Sequence, residues 1–284
     1  MNIQWYPGHM TKTKRMIAET LKLCDVVCEI IDARIPLSSR NPDINELTSG
    51  KPRVIILNRA DMADTNETKK WAEHFSAEGL RVIETDCKSG RGVEKFIPAA
   101  KEAVGDLIER YAEKGQFKTV RAMVVGVPNV GKSSLINRIT KSKRAKTEDR
   151  PGVTRGKQWF SVDRGLELLD TPGILWPRFD DPATGMNLAF TGAIRDEIMD
   201  IETLAMRLFE ALLPRYSQNL RDRFKIEAAG TGLEMLEAAA KARGCLVSGG
   251  EIDYNRIAVI ALDEFRGGKL GRITLETAED IFNV

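Results

Sequence analysis

The chain has 284 residues, of which 42% are hydrophobic and 30% are charged, and its formal net charge is +2. These values are typical of globular proteins and exclude the disordered, collagen-like and disulfide-rich classes. The four cysteines lack a paired C-x-x-C spacing, so we expect neither a disulfide framework nor a zinc site. No apolar run reaches the length of about eighteen residues that a membrane span needs. We therefore expect a cytoplasmic protein without a membrane span.

Short apolar runs alternate with helical patterns over the first 178 residues. The runs lie at 26–31, 54–57, 81–84, 122–125 and 166–169, and helical patterns lie near 66–77 and 92–113. Strands rich in Val, Ile and Leu that are separated by helices predict a mostly parallel sheet with helices on both faces. Residues 1–178 are therefore predicted to form an α/β domain.

Strand signals nearly vanish after Gly173, and apolar residues then recur at helical spacing, as in Leu204, Leu208 and Leu212. Residues 179–284 are therefore predicted to form a small all-α domain. The two parts differ in charge, because 1–178 holds 31 basic and 23 acidic residues and 179–284 holds 12 and 18. Eight basic residues lie within 138–157 alone, which suits a phosphate-backbone contact or, alternatively, a solvated loop.

Residues 126–133 read G-V-P-N-V-G-K-S and stand between an apolar run and a helical pattern. In this context the N–H groups of a glycine-rich turn cradle phosphate groups. Lys132 is predicted to reach the β- and γ-phosphate oxygens, and Ser133 to ligate Mg²⁺. The other nucleotide contacts predicted in this segment are Pro128, Asn129, Val130, Gly131 and Ser134.

Two further motifs follow predicted strands. The run at 166–169 leads into D-T-P-G, in which Asp170 is predicted to hold Mg²⁺ through water and Gly173 to offer its N–H to the γ-phosphate. The run at 54–57 leads into N-R-A-D at 58–61. The Asp61 carboxylate can accept hydrogen bonds from N1–H and the amino group of guanine, a pattern that adenine lacks. Guanine is therefore the favoured base.

Together these elements resemble the signature motifs of the translation-factor-related GTPases. Asn58 and Arg59 are predicted, like Asp61, to contact the nucleotide. Arg59 departs from the family pattern, because N-K-x-D usually has lysine at that position. Residues 86–90 resemble the loop whose backbone touches guanine O6, which adds Cys87 and Lys88 to the predicted site. Here both base loops precede the phosphate loop, the reverse of the usual order, so the GTPase domain is predicted to be circularly permuted.

The opening W-Y-P-G-H-M at 5–10, the D-A-R-I-P at 32–36 and the permuted motif order extend the resemblance over essentially the whole chain. The chain is similar to the circularly permuted GTPases of the YlqF/YawG type, the ribosome biogenesis GTPase A family. The resemblance implies a bacterial factor that binds GTP and GDP and assembles on a late precursor of the large (50S) ribosomal subunit. It also implies contacts with 23S rRNA, through the helical domain, and with ribosomal proteins, and hydrolysis that the particle stimulates before the factor leaves.

The resemblance also assigns roles to single residues. Thr154 resembles the switch threonine that completes the Mg²⁺ site, and His9 is implied to take part in hydrolysis, although a structural role is the alternative. Asn129 resembles the asparagine that helps to bind K⁺ in potassium-activated GTPases, or it serves only as a turn-former. Ile174 follows D-T-P-G where many GTPases carry a water-orienting glutamine, so intrinsic hydrolysis is expected to be slow.

Two alternatives stay open at this point. In one, the protein is a GTP-gated scaffold whose hydrolysis is incidental, and Ile174 favours that interpretation. The other, a P-loop kinase, leaves D-T-P-G and N-R-A-D unexplained. The acidic charge of the helical part is unusual for an RNA-contacting domain, so its contact face is predicted at a local basic cluster, Arg215, Arg221, Arg223 and Lys225.

Overall fold

The computed structural model describes residues 18–48, 50–141, 159–170 and 181–279 of the chain. Six strands form one sheet: β1 (Val26–Asp32), β2 (Arg53–Asn58), β3 (Arg81–Thr85), β4 (Val120–Val125), β5 (Trp159–Asp163) and β6 (Leu166–Asp170). Their order is β3-β2-β1-β4-β6-β5, and only β5 runs antiparallel to its neighbour. The predicted mostly parallel α/β sheet is confirmed.

The central strand β1 is buried along all seven residues, which explains why its sequence is an apolar run apart from Glu29 and the terminal Asp32. The edge strand β5 was not predicted, because its partly exposed residues do not form such a run. Around the sheet lie α1 (Pro42–Leu47), α2 (Thr65–Ala77), α3 (Phe96–Glu102), α4 (Gly105–Ala112) and α5 (Lys132–Lys141). Asp64 caps α2 by accepting hydrogen bonds from the N–H groups of Asn66 and Glu67.

The later part of the chain is helical, as the apolar spacing predicts. Its helices are α6 (Pro182–Phe190), α7 (Ile201–Phe224), α8 (Gly232–Arg243) and α9 (Tyr254–Arg266). Thr231 and Glu234 form a capping box at the start of α8, and Pro214 lies in α7 close to a kink at Tyr216. None of the helices in the described part of the chain is long and apolar enough to cross a membrane.

Buried Leu and Phe side chains of α7 pack with α8 and α9 in the same hydrophobic cluster as one face of the sheet. Glu264 of α9 is buried and pairs with Arg223 at 2.5 Å and with Arg243 at 3.2 Å. Arg223, which the sequence places in a basic contact face, is thus engaged inside the helical part. Arg221 of the same cluster lies 3.8 Å from the Glu227 carboxylate.

The segment after α9 returns to the α/β part of the chain. The N–H of Ile273 donates to the carbonyl of Met62 at 2.9 Å, and that of Leu275 donates to Arg34 at 2.8 Å. The indole N–H of the fully buried Trp71 donates to the carbonyl of Glu276 at 2.9 Å. The predicted boundary at 178/179 lies outside the described residues, and beyond it the chain end packs on α2 and the loop after β1.

The Glu276 carboxylate is the centre of this contact. It accepts hydrogen bonds from the N–H groups of Leu37 at 2.7 Å and Ser38 at 3.0 Å, and also from the Ser38 hydroxyl. The Asn187 amide of α6 donates to it at 3.0 Å. One side chain therefore joins the loop after β1, helix α6 and the chain end.

Replacing Glu276 with Ala removes the acceptor of the buried Ser38 and of the partly buried Asn187 amide. We expect Glu276→Ala to lower the free energy of unfolding by about 3 kcal/mol, because unpaired buried polar groups keep their full desolvation cost. Urea denaturation followed by circular dichroism measures the change.

The matched control is Glu279→Ala in the same segment. Glu279 pairs with Lys70 at 2.7 Å, but its side chain is 70% exposed, so its loss should cost less than about 0.5 kcal/mol. Equal shifts of the two urea midpoints would contradict a special role for Glu276.

Candidate nucleotide-binding site

The predicted site residues in the described part of the chain gather at one edge of the sheet, where parallel strands end. In the sheet register Asp32 at the end of β1 lies beside Asn58 at the end of β2, and Val124 of β4 lies beside Asp170 of β6. Residues 126–131 follow β4 directly and lead into α5. The carboxyl edge of a parallel sheet is where α/β proteins bind ligands.

Close backbone packing shapes the glycine-rich loop. A side chain at Gly126 would lie against the carbonyl of Ile30, and one at Gly131, whose φ is +108°, would overlap the Asn58 amide nitrogen. Only glycine fits both positions. Lys132 at the start of α5 is 9% exposed, whereas Ser133 and Ser134 are exposed on the first turn. The N-terminus of α5 thus presents hydroxyl groups and N–H groups at the sheet edge, as an anion site requires.

Asn58 ties two loops together. Its amide nitrogen donates to the carbonyl of Val130 in the glycine-rich loop at 2.7 Å. Its amide oxygen accepts from the Thr85 hydroxyl at 3.1 Å and from the N–H of Cys87 at 3.0 Å. Since Asn58 is buried and both ends of its amide are used, it fixes the loop after β3 relative to the loop after β4.

The loop after β3 is held from a second side by Arg138 of α5, which donates to the carbonyls of Cys87 and Lys88. The N–H of Lys88 donates to the Asp86 carboxylate at 2.9 Å. The N–H groups of Cys87 and Lys88 thus have partners within the chain, and their contact with guanine O6 stays a prediction. No sequence pattern indicates this role of Arg138, which in the sequence is only one member of a basic run.

Arg59 of the base loop binds the glycine-rich loop. Its guanidinium donates to the carbonyl of Asn129 at 2.6 Å and lies 3.7 Å from the Asp32 carboxylate. Asp32 also accepts two hydrogen bonds from the Arg34 guanidinium, at 3.0 and 2.8 Å. Burial by itself would raise the pKa of Asp32, but the neighbouring guanidinium groups of Arg34 and Arg59 lower it below its ordinary value. The carboxylate therefore stays charged and anchors both arginines.

Asp61 has a different environment. Its carboxylate oxygen Oδ1 is buried and has no hydrogen-bond partner within the described residues. A buried acceptor without a donor is costly unless a ligand supplies one. The N1–H and amino group of guanine supply such donors, so this oxygen fits the base that the sequence predicts.

The oxygen donors also fit Mg²⁺, which prefers hydroxyl, carboxylate, phosphate and water ligands. Ser133 is exposed on the first turn of α5, and Asp170 ends β6 beside the strand that leads into the glycine-rich loop. Among the residues that the structure describes, no group of three His, Cys, Asp or Glu side chains could hold a metal alone. The side chain of Asp170 and the predicted residues His9, Thr154 and Gly173 lie outside the described part.

Asn129 connects the glycine-rich loop with the helical part of the chain. It is exposed, adopts a left-handed backbone conformation with φ +58°, and donates its amide N–H to the carbonyl of Gly192 at 2.7 Å. It is therefore a turn-former that also makes a long-range contact. Because the amide nitrogen is turned to a carbonyl, the amide oxygen is the atom that could serve a cation.

Comparison with known proteins supports the nucleotide interpretation of this geometry. Residues 121–213 match the family model of a 50S ribosome-binding GTPase. Ribosome biogenesis GTPase A of Bacillus cereus is 46% identical over 282 residues, which cover 99% of this chain and 95% of that protein.

Two solved structures agree with the fold. The chain is 32% identical to GDP-bound TM YlqF, with a TM-score of 0.70 and coverage of 94% of this chain and 100% of that one. For GNP-bound YlqF from T. maritima the identity is 31%, the TM-score 0.69 and the coverage 94% and 98%. The chain belongs to the ribosome biogenesis GTPase A family and is a GTPase.

Proposed function

We propose that the protein hydrolyses GTP to GDP and phosphate as an assembly factor in late maturation of the bacterial large (50S) ribosomal subunit. The observation that carries the nucleotide part is the buried carboxylate oxygen of Asp61, which has no hydrogen-bond partner within the described ranges of the chain. It lies beside a glycine-rich loop that Asn58 and Arg59 hold in place. The ribosomal part is supported by the full-length similarity to ribosome biogenesis GTPase A proteins. We propose that the protein acts in the cytoplasm, where bacterial ribosomes are assembled.

In this proposal the base and the phosphates of GTP each have binding groups in the protein. Asp61 accepts hydrogen bonds from guanine, and the loops at 58–61 and 86–90 enclose the base, with Cys87 and Lys88 at its edge. Lys132 and the N–H groups of residues 129–134 face the phosphates, and the positive end of α5 favours their charge. The circularly permuted order of these loops does not alter the site, since spatial order in the sheet assembles it.

Mg²⁺ would be held by Ser133 and Thr154 directly and by Asp170 through water, and when bound it supplies charge neutralisation on the phosphate oxygens. Gly173 would offer its N–H to the γ-phosphate. K⁺ is proposed as a second cation at the amide oxygen of Asn129, whose nitrogen is already turned to Gly192. Positive charge at that position stabilises the charge that develops on the phosphates during hydrolysis.

Water activation is the incomplete part of the site. Ile174 cannot orient water, so His9 is proposed to take that role when a ribosomal particle completes the site. The domains at 1–178 and 179–284 are proposed to divide the work, with the helical domain and the basic segment 138–157 contacting 23S rRNA and ribosomal proteins. Hydrolysis would then release the factor from the particle.

The base assignment can be tested with Asp61→Asn. The asparagine amide can accept from N1–H and donate to the C2 carbonyl of xanthine, whereas its single oxygen accepts only one of the two hydrogen bonds that N1–H and the amino group of guanine offer. We expect GTP affinity to fall about 100-fold, the value of one hydrogen bond to a charged group, and the XTP affinity of the variant to exceed its GTP affinity. Fluorescent nucleotide titration gives both constants.

Asp64→Asn is the matched control, because Asp64 caps α2 three residues away and asparagine is an equally good cap. It should keep the parent's preference for GTP. An unchanged preference in Asp61→Asn as well would remove Asp61 from base recognition.

The ribosomal role can be tested by following phosphate release from GTP in KCl, with and without 50S subunits. Free rRNA, ATP and NaCl at matched ionic strength serve as comparison conditions. We expect at least about tenfold stimulation by subunits, because they supply groups that Ile174 does not, and faster turnover in KCl than in NaCl. If nucleotide binds but subunits leave the rate unchanged, a GTP-gated scaffold becomes the better description.

His9→Ala tests the proposed water-activating group. We expect parental GTP affinity and a subunit-stimulated kcat that falls about 100-fold, the usual contribution of a general base. His74→Ala is the control, since the other histidine of the chain packs on Trp71 in α2. Equal stimulated rates in parent and His9→Ala would exclude His9 from the mechanism.

A further inference from the structure

Helix α6 is closed by a turn that faces the glycine-rich loop. The N–H of Gly192 donates to Ala189 at 3.0 Å and that of Ala193 donates to Leu188 at 2.9 Å, while Gly192 has φ +77°. This is the Schellman arrangement, in which a left-handed glycine ends the helix. The carbonyl of Gly192 accepts the amide N–H of Asn129 at 2.7 Å.

Arg266, the last residue of α9, builds the other side of this turn. Its Nε donates to the carbonyl of Phe190 at 3.1 Å, and one Nη donates to Ala189 at 2.9 Å. The guanidinium also forms two hydrogen bonds with Asp196, at 2.6 and 2.7 Å. A side-chain carbon at Gly192 would lie 3.3 Å from Arg266 Nε, so glycine and guanidinium pack directly on each other.

The turn therefore has two faces. On one face Arg266 fixes the last carbonyls of α6 and the segment at Asp196, and on the other Gly192 receives Asn129. Asn129 itself is held at two points, by Gly192 through its side chain and by Arg59 through its carbonyl. Its left-handed backbone is unfavourable for an unrestrained residue, so these two contacts help to set the loop conformation before nucleotide arrives.

We propose that Arg266 is a positioning residue for the phosphate loop, which it presets by holding the Gly192 turn against Asn129. The inference rests on the proposed nucleotide site, to which it adds a residue of helix α9. Arg266 acts through Gly192 and Asn129. Preorganisation of a binding loop raises affinity because less ordering remains to be done on binding.

The proposal predicts the effects of Arg266→Met and Asn129→Ala. Each should weaken GDP binding about tenfold, the value of one hydrogen bond with a modest ordering cost. The double variant should be no weaker than the single variants, because both remove the same contact. Titration of a fluorescent GDP analogue, with urea denaturation to show that each variant is folded, measures these effects.

Arg223→Met is the matched control. Arg223 also forms an ion pair with α9, through Glu264, but it lies outside the contacts of the Gly192 turn. We expect it to lose stability and to keep the parent's GDP affinity. Arg266→Lys, which keeps the charge but not the fork of donors, should bind GDP with intermediate affinity and serves if Arg266→Met does not fold.

Parental GDP affinity in Arg266→Met or, if that variant does not fold, in Arg266→Lys would overturn the proposal, as would additive losses in the double variant. Parental affinity in Asn129→Ala would overturn it too, because the contact with Gly192 would then contribute nothing to binding, whereas failure of the proposed nucleotide site would appear as no GDP binding by the parent protein. An effect of Asn129→Ala together with none of Arg266→Met separates the two, because it retains the site and rejects the coupling.

Discussion

The buried amide of Asn58 is the interaction on which the rest of the site depends. It joins the loop after β4 to the loop after β3 with three hydrogen bonds, and the first of these loops approaches it so closely that only glycine fits at 131. Asn58 can do this because β2 lies next to β3 and only one strand away from β4. Two loops that are distant in sequence thereby form one wall of the site. Beside it, Oδ1 of Asp61 has no hydrogen-bond partner among the residues that the structure describes.

Ion pairs around Asp32 stabilise the same wall of the site. Asp32 ends the central strand and binds Arg34, whose guanidinium also donates to the carbonyl of Phe265 at 3.3 Å. Arg59 lies beside Asp32 and reaches Asn129. A buried carboxylate with two guanidinium partners is stabilising only if the partners stay in place, so the helical region, the base loop and the phosphate loop constrain one another through this one side chain.

The sequence predicted what local pattern determines. The runs predicted at 26–31 and 122–125 are buried on both faces and are almost entirely apolar, and the glycine spacing at 126–131 marks a close backbone turn. It could not predict Arg34 bound to Phe265 or Trp71 bound to Glu276, because these contacts join residues more than 200 positions apart. Strand β5 was missed because an edge strand needs no apolar run, and Arg138 because a basic residue in a basic segment does not reveal its partner.

Helix α6 and the turn that closes it link the phosphate loop to the helical region and the chain end. The helix follows the D-T-P-G segment, its Asn187 binds Glu276 on its side, and the turn at its end receives Asn129 from the phosphate loop. A shift of α6 would therefore disturb both contacts at once. Packed interfaces change between discrete arrangements rather than by gradual deformation. Because D-T-P-G directly precedes the helical region in the sequence, a change at the γ-phosphate that moves α6 would move the surface of α7 to α9 with it.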